Sequence, residues 1–219
     1  MFGNPAELDP LLDFGIPIIE DCAQSLGAEY GSHRVGSYGK LSVFSFYATK
    51  MITTGEGGMI LTDDEICFAK IYDLRDYDKK ALYPVKFNYK MTDIQASLGL
   101  SQLTRLPDFI ERRRYIASRY TDSLSKYEIE LPGVSSENKS IFYRYIVSLG
   151  RMDQVREGAR SNGIMCEKPV FMPLHKGSSE FQCPNSDWAH QHALSIPLYP
   201  NLSHEEIDYI IARLEEILR

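Results

Sequence analysis

Leu41-Ser-Val-Phe-Ser-Phe-Tyr-Ala-Thr-Lys50-Met-Ile-Thr-Thr-Gly55-Glu-Gly-Gly-Met-Ile60 is the stretch that decides the fold. Leu41 to Tyr47 is apolar, β-branched or aromatic and reads as a buried strand. Thr53 to Gly58 is a flexible glycine-rich turn, and Met59 to Leu61 is a second apolar run. Lys50 therefore stands just beyond a strand end. In open α/β sheets, ligands bind in the crevice outside such ends. A lysine desolvated there loses its proton more readily, and the free amine can form a Schiff base with an aldehyde. The alternative is a solvated surface lysine, as most lysines are.

Upstream, Asn4-Pro-Ala-Glu-Leu-Asp-Pro-Leu-Leu predicts a helix with Asn4 as N-cap, Pro5 at the first helical position and Glu7 three residues after the cap, ending near Phe14-Gly15. Ile16-Pro-Ile-Ile19 then predicts a short buried strand whose polar end is Glu20-Asp21-Cys-Ala-Gln24. Helix, glycine and strand in succession give the rhythm of a parallel sheet. Asp21, a carboxylate at a strand's C-terminal end, would face the same crevice as Lys50. It could equally cap a turn over Ala23 to Leu26. The segment from Gly27 to Gly39 is a glycine-rich loop or small hairpin and matches neither the P-loop nor the GxGxxG pattern.

Downstream, Asp63 to Arg75 has helical spacing with acids in its first turn and predicts a packing helix. Residues 76 to 90 form a polar and aromatic loop long enough to be functional or to meet a partner. Met91 to Leu103 is strongly helical, with Thr92 as cap and Ile94, Leu98 and Leu103 on the expected buried side. A long charged helix from Pro107 to about Lys126 bridges into a second domain. There, Phe142 to Ser148 predicts a strand, Met152 to Asn162 a helix closed by Gly163, Ile164 to Val170 a strand, and Pro169 to His175 a loop broken by prolines. After Ser195 to Pro200, a helix capped by Ser203, with Glu206 completing a capping box, runs to the C-terminus.

The bulk properties bound the function. The 219 residues are 43% hydrophobic, ample for a buried core. Net charge is -6, and the one basic cluster, Arg112-Arg-Arg114, lies on a helical pattern, so no nucleic-acid partner is expected. Cys22, Cys67, Cys166 and Cys183 are scattered without a CxxC pair, which indicates neither a zinc site nor a disulfide framework and suits reduced thiols. The start lacks the basic and apolar regions of a signal peptide, and no run approaches the roughly 20 apolar residues of a membrane span. A soluble cytoplasmic protein without membrane contact is expected.

Five blocks carry a resemblance: Glu20-Asp21-Cys-Ala-Gln24, Val35-Gly-Ser-Tyr-Gly39, Phe44-Ser45-Phe-Tyr-Ala-Thr-Lys50, Thr54-Gly-Glu-Gly-Gly58 and Phe87-Asn88-Tyr-Lys-Met-Thr-Asp-Ile-Gln95. In order and spacing they resemble the pyridoxal-phosphate-dependent sugar aminotransferases, the DegT/DnrJ/EryC1/StrS family within fold type I. The resemblance continues through Leu131-Pro, Phe142 to Val147, Pro173-Leu-His175 and Leu198-Tyr-Pro200. The wording from Ile52 to Gly58 and from Asn88 to Gln95 is closest to perosamine-synthase-like members.

The resemblance implies an α/β fold: the C-terminal part of a fold-type-I large domain, mostly parallel sheet with helices, over residues 1–105, followed by a smaller α+β domain, 106–219, that includes the bridging helix. It implies pyridoxal 5'-phosphate as cofactor, with Lys50 as the Schiff-base lysine and proton shuttle. Asp21 then pairs with the pyridine nitrogen, which lets the ring act as an electron sink. Gln24 would pack against the ring and its 3-hydroxyl, Ser45 would bind the phosphate, and Asn88 would reach the phosphate of a neighbouring subunit. His175 could contact substrate, though a loop histidine is more often structural. Glutamate as amino donor and a nucleotide-linked keto sugar as acceptor are the implied substrates.

Two departures from the family pattern shape the expectation. The family's upstream segment, with its Ser-Gly-Thr loop for the phosphate, has no counterpart before Met1, so sheet faces should be left exposed. A truncated or split chain is expected, acting as a homodimer or with a separate N-terminal half. Lys40 stands where the family has an acid. A dehydratase of the same fold, which carries histidine in place of the lysine, and a non-catalytic binding or assembly fragment are the alternatives.

Overall fold

The computed structural model describes residues 1–77, 87–135, 137–177 and 182–219. The chain forms two compact units, one of Gly3–Phe109 with residues 136–141, the other of Ile110–Ser135 and Phe142–Arg219, with Met1 in the first and Phe2 in the second. The long helix thus begins in one unit and ends in the other.

In the first unit, helix α1 is only Asp9–Leu12. The expected start at Asn4 fails because Pro10 lacks an amide hydrogen and its ring would strike the carbonyl of Ala6 in any helix begun earlier; it is tolerated only within the first turn. Strand β1 is Ile19–Asp21, so the predicted strand begins three residues late, and Ile16 and Ile19 are exposed rather than buried. The glycine-rich segment is a hairpin of β2 (Glu29–Tyr30) and β3 (His33–Arg34), turned at Gly31 with φ of 55°. Strand β4 is Leu41–Ser45 and β5 is Gly58–Leu61.

The sheet order is β1-β4-β5. Strands β1 and β4 are parallel, with Asp21 opposite Val43. Strand β5 runs antiparallel to β4, because the helix-free connection between them is too short for a parallel crossover. Helix α2 is Glu65–Arg75. Asp64 caps it through Cys67 N, and Lys40 Nζ stands 3.1 Å from the same carboxylate, which is where the unexpected lysine finds its partner. Helix α3, Asp93–Leu103, is capped by Thr92 as expected, and Gln95 completes a capping box there.

Neither helix is packed as predicted, since neither holds a buried residue. Ile94 is 85% exposed, and Leu98 and Leu103 are also exposed. The face of α3 that meets the protein carries Gln95, Gly99 and Gln102 instead, and their polar bonds outweigh the apolar periodicity. Strand β5 is exposed along its whole length. The predicted 76–90 loop lies largely in residues 78–86, outside the described residues.

Helix α4, Leu106–Leu124, leads into the second unit. The short strand β6, Asn138–Lys139, pairs with β2 of the first unit. In the second unit, β7 (Tyr145–Ser148) pairs antiparallel with β8 (Ala193–Ile196). Helix α5 is Met152–Ser161, ended by Gly163 at φ of 74°. A short 3-10 turn covers Leu174–Gly177, α6 is Pro184–His192, and α7 is His204–Leu218 with the predicted Ser203–Glu206 capping box.

Ile164 to Val170 is not a strand; only Glu167 bridges Ser195, and Pro169 removes the next ladder donor. The core of this unit is continuous, from Ile116, Tyr120 and Leu124 through Tyr145 and Val147 to Ile207 and Leu214. Each such side chain contributes about 1.5–3 kcal/mol by leaving water.

Candidate functional site

The two residues of chemical interest come from neighbouring parallel strands. Asp21 is the last residue of β1, and Lys50 lies five residues beyond Ser45, the last residue of β4. Because β1 and β4 are parallel, their C-terminal ends share one rim of the sheet. A cleft of about 480 Å³ at that rim is lined by Asp21, Cys22, Gln24, Ser25, Val35 and Lys50, with Met1, Asn4 and Leu8 on its N-terminal side.

Ile19, Glu20 and Asp21 all border this cleft. Glu20 is buried and its neighbours Ile19 and Asp21 are exposed. The buried Glu20 carboxylate accepts backbone hydrogen bonds from Gly36 N at 2.6 Å, Tyr38 N at 2.8 Å and Gly39 N at 2.6 Å. One oxygen of Asp21 accepts from Ala23 N at 3.0 Å, so the turn-capping reading is realised alongside its place in the cleft. Cys22, next along, is 2% exposed, and burial first and Glu20 second push its thiol up to about 11. That thiol stays protonated and is no nucleophile at neutral pH.

Lys50 is carried on a closed loop. Phe46 O accepts from Thr54 N at 2.9 Å and from Thr53 Oγ1 at 3.1 Å, while Lys50 N donates to Tyr47 O at 2.9 Å. Met51 and Ile52 anchor the far side as buried residues. Gly57 adopts φ of 153°, and a Cβ there would stand 2.5 Å from Thr54 Oγ1, so glycine is required for the loop to turn back.

The other sequence-predicted residues lie elsewhere. Ser45, at the end of β4, accepts from Tyr47 N at 3.3 Å and does not line the cleft. Asn88 is exposed and folds its Oδ1 onto Lys90 N at 3.1 Å. His175 belongs to the second unit, where its Nε2 is 3.0 Å from Asp187 Oδ1; Lys176 Nζ is 2.7 Å from the same oxygen. Lys176 first and His175 second hold the Asp187 carboxyl below its usual range. Glu20, which borders the cleft and holds the 36–39 loop, is a residue the sequence reading did not single out, although it stands one residue before Asp21.

An amine, a carboxylate and an amide around one cleft can hold an aromatic aldehyde: the amine at the aldehyde carbon, the carboxylate at a ring nitrogen, the amide beside the ring. That set fits pyridoxal phosphate on its ring and aldehyde sides. Among the described residues no cluster could hold a metal ion, and no helix is long and apolar enough to cross a membrane.

A fold of this kind with this site defines an α/β protein of the pyridoxal-phosphate type. The chain belongs to the DegT/DnrJ/EryC1/StrS aminotransferase family, whose model matches residues 1–215. It is 34% identical to the GDP-perosamine synthase of Caulobacter vibrioides, over 100% of this chain and 64% of that protein. It is 31% identical to the GDP-perosamine synthase of Escherichia coli O157:H7, over 99% of this chain and 63% of that protein. The fold superposes with a TM-score of 0.91 on a DegT DnrJ EryC1 StrS aminotransferase from Brucella abortus, at 26% identity, covering 100% of this chain and 62% of that one. A protein described as a sugar aminotransferase, Spr1654 from Streptococcus pneumoniae in its PLP form, matches at 28% identity and a TM-score of 0.79, covering 93% of this chain and 59% of that one. The chain spans less than two thirds of the length of these relatives.

Proposed function

We propose that this chain supplies the lysine-bearing part of a cytoplasmic sugar aminotransferase. It would use pyridoxal phosphate to move an amino group from glutamate to a nucleotide-linked keto sugar. The observation that carries the reading is the convergence of Lys50 and Asp21 at the C-terminal ends of two adjacent parallel strands, in one cleft with Gln24. When bound, the cofactor supplies an electron sink for removal of a proton next to nitrogen. Lys50 Nζ holds the aldehyde carbon and afterwards carries that proton. Asp21 keeps the ring nitrogen protonated, and Gln24 orients the ring. Ser45 and Asn88 would serve the phosphate only through chain segments that bring them to it.

The exposed apolar residues of the first unit support a completing polypeptide. Ile66 and Phe68 of α2, Ile94 and Leu100 of α3, and Met59 to Leu61 of β5 all stand in solvent, more than an isolated unit tolerates well. The relatives have about a further third of chain length, which supports additional polypeptide of the family fold as the covering body. Lysine rather than histidine at position 50 disfavours dehydration.

The test is borohydride trapping. Protein incubated with pyridoxal phosphate and reduced should carry a phosphopyridoxyl group on the peptide containing Lys50, and Lys50→Ala should carry none. Labelling spread over surface lysines, or unchanged in Lys50→Ala, overturns the assignment. Before reduction, glutamate should discharge the visible cofactor band if it is the amino donor.

A further inference from the structure

We propose that Gln95 and Gln102 of α3 are positioning residues for Lys50, locking the loop that presents the lysine to the cleft. The inference rests on the reading of Lys50 as the cofactor-bonded amine. The two glutamines are seven residues apart, two helical turns, and so share one face of α3.

Gln102 holds both backbone groups of a single residue. Its Nε2 donates to Thr53 O at 2.8 Å, and its Oε1 accepts from Thr53 N at 3.2 Å. This is the bonding a neighbouring strand would give, supplied by one side-chain amide. Gln95 Nε2 donates to Glu56 O at 3.1 Å while its Oε1 accepts from Thr92 N at 3.1 Å and Thr92 Oγ1 at 2.9 Å. It therefore ties the cap of α3 to the turn that follows Lys50.

Between the two glutamines sits Gly99, where a Cβ would stand 3.0 Å from Thr54 Cγ2. The helix thus approaches the loop closely at its one residue without a side chain. Gln95, Gly99 and Gln102 together bind residues 53–56, and the Phe46–Thr54 hydrogen bond carries that hold to the base of the loop bearing Lys50. A lysine has four rotatable carbons, so the fold controls its amine mainly through where the backbone starts. A shift of about 1 Å in a reacting group can cost about a hundredfold in rate.

The test compares two labels on the full chain. Formaldehyde with cyanoborohydride reports only that the Lys50 amine is accessible and free; pyridoxal phosphate with borohydride requires the amine to be placed. In Gln102→Leu and in Gln95→Ala, formaldehyde labelling of Lys50 should be unchanged or faster, while capture of pyridoxal phosphate should slow about tenfold or more. Equal slowing of both labels, or no slowing of either, overturns the proposal.

Wild-type chain that captures no pyridoxal phosphate would refute the cofactor reading instead. Amide hydrogen exchange then decides the lock, since it needs no cofactor: Thr53 and Thr54 should exchange faster in Gln102→Leu, and unchanged exchange overturns it. If Gln102→Leu does not fold, Gln95→Ala, which leaves Thr53 held, carries the same comparisons at Glu56 and Gly57.

Discussion

The buried carboxylate of Glu20 and the backbone amide of Gly39 are joined by a 2.6 Å hydrogen bond, and that bond fixes the rear of the strand whose front presents Asp21. Gly36 and Tyr38 donate to the same carboxylate, so one side chain satisfies three amides of the 36–39 loop. Glu20→Gln keeps one acceptor oxygen and turns a donating amide toward amides that also donate. Hydrogen bonds to a charged group are worth about 1.5–3 kcal/mol, and a buried donor left unmet costs about 1–3 kcal/mol. Glu20→Gln should therefore lose about 2–3 kcal/mol in urea unfolding, and Glu20→Ala should lose at least as much. A loss within about 0.5 kcal/mol, the range of a neutral surface change, would show that the loop does not depend on it.

Gly36 should be irreplaceable by alanine. It adopts φ of 92°, and a Cβ would stand 2.6 Å from Phe44 Cζ. Alanine at a positive φ already costs more than the roughly 1 kcal/mol such changes gain at permissive sites, and the ring of Phe44 must also move. Gly36→Ala should lower the melting temperature by several degrees. Gly31→Ala, where φ is 55° and nothing lies within 4 Å of the added carbon, should cost less. Equal losses at the two positions would place the cost in the backbone alone.

Acid should unfasten helix α2 through Asp64. The Cys67 amide first and Lys40 second lower its carboxyl from 3.8 to about 2. A carboxyl whose folded value is depressed stabilises the fold above its ordinary value, and that contribution disappears as pH falls from 3.8 toward 2. Asp64→Ala removes the cap at every pH and should lower the urea midpoint at neutrality. The gap in urea midpoint between wild type and Asp64→Ala should close across that acid interval. A gap that stays constant through it would mean the cap acts without its charge.

The thiols predict the alkaline side. Burial first and Glu20 second push Cys22 to about 11, and burial first and Glu167 second push Cys166 to about 12. Raised values of this kind mean that stability is whole below 9.0, the ordinary thiol value, and falls as pH rises through these numbers. Both thiols should resist iodoacetamide around pH 8 in the folded chain. Cys22→Ala should flatten part of the alkaline loss in urea midpoint. Rapid alkylation of either thiol at that pH would contradict the burial.

Local chemistry was the legible part of this chain. The cap at Thr92, the capping box at Ser203, the glycine stop at 163 and the position of Lys50 beyond β4 all depend on neighbours within a few residues. Burial was not legible where an element's partners are distant. Ile94 and Leu98 have core spacing, but the interior side of α3 is chosen by Gln95 and Gln102, whose partners at Glu56 and Thr53 lie 39 and 49 residues away. Glu20 escaped for the same reason, since its three donors are 16 to 19 residues on. A polar residue's role is set by what its fold brings to it, and no periodicity announces that.

Arg113 gives the last prediction, in the second unit. It is 7% exposed, and its Nη1 donates to the carbonyls of Phe142 at 3.2 Å, Tyr143 at 3.1 Å and Leu198 at 3.1 Å. Burial lowers its guanidinium to about 10, which still leaves it charged at neutral pH. Phe142 is turned to φ of 45°, a conformation a bulky side chain seldom adopts, and its carbonyl is one of the three that Arg113 meets. Lysine carries the same charge, but its stem is one bond shorter, so its ammonium stops short of the point where Arg113 Nη1 meets the three carbonyls. Arg113→Lys should therefore lose about 2 kcal/mol or more, by leaving at least one buried carbonyl unmet. Phe142→Gly, which relieves the positive φ, should make the loss in Arg113→Lys smaller when the two are combined than the sum of the single losses. Strict additivity of the pair in urea unfolding would show that Arg113 does not hold the strained residue in place.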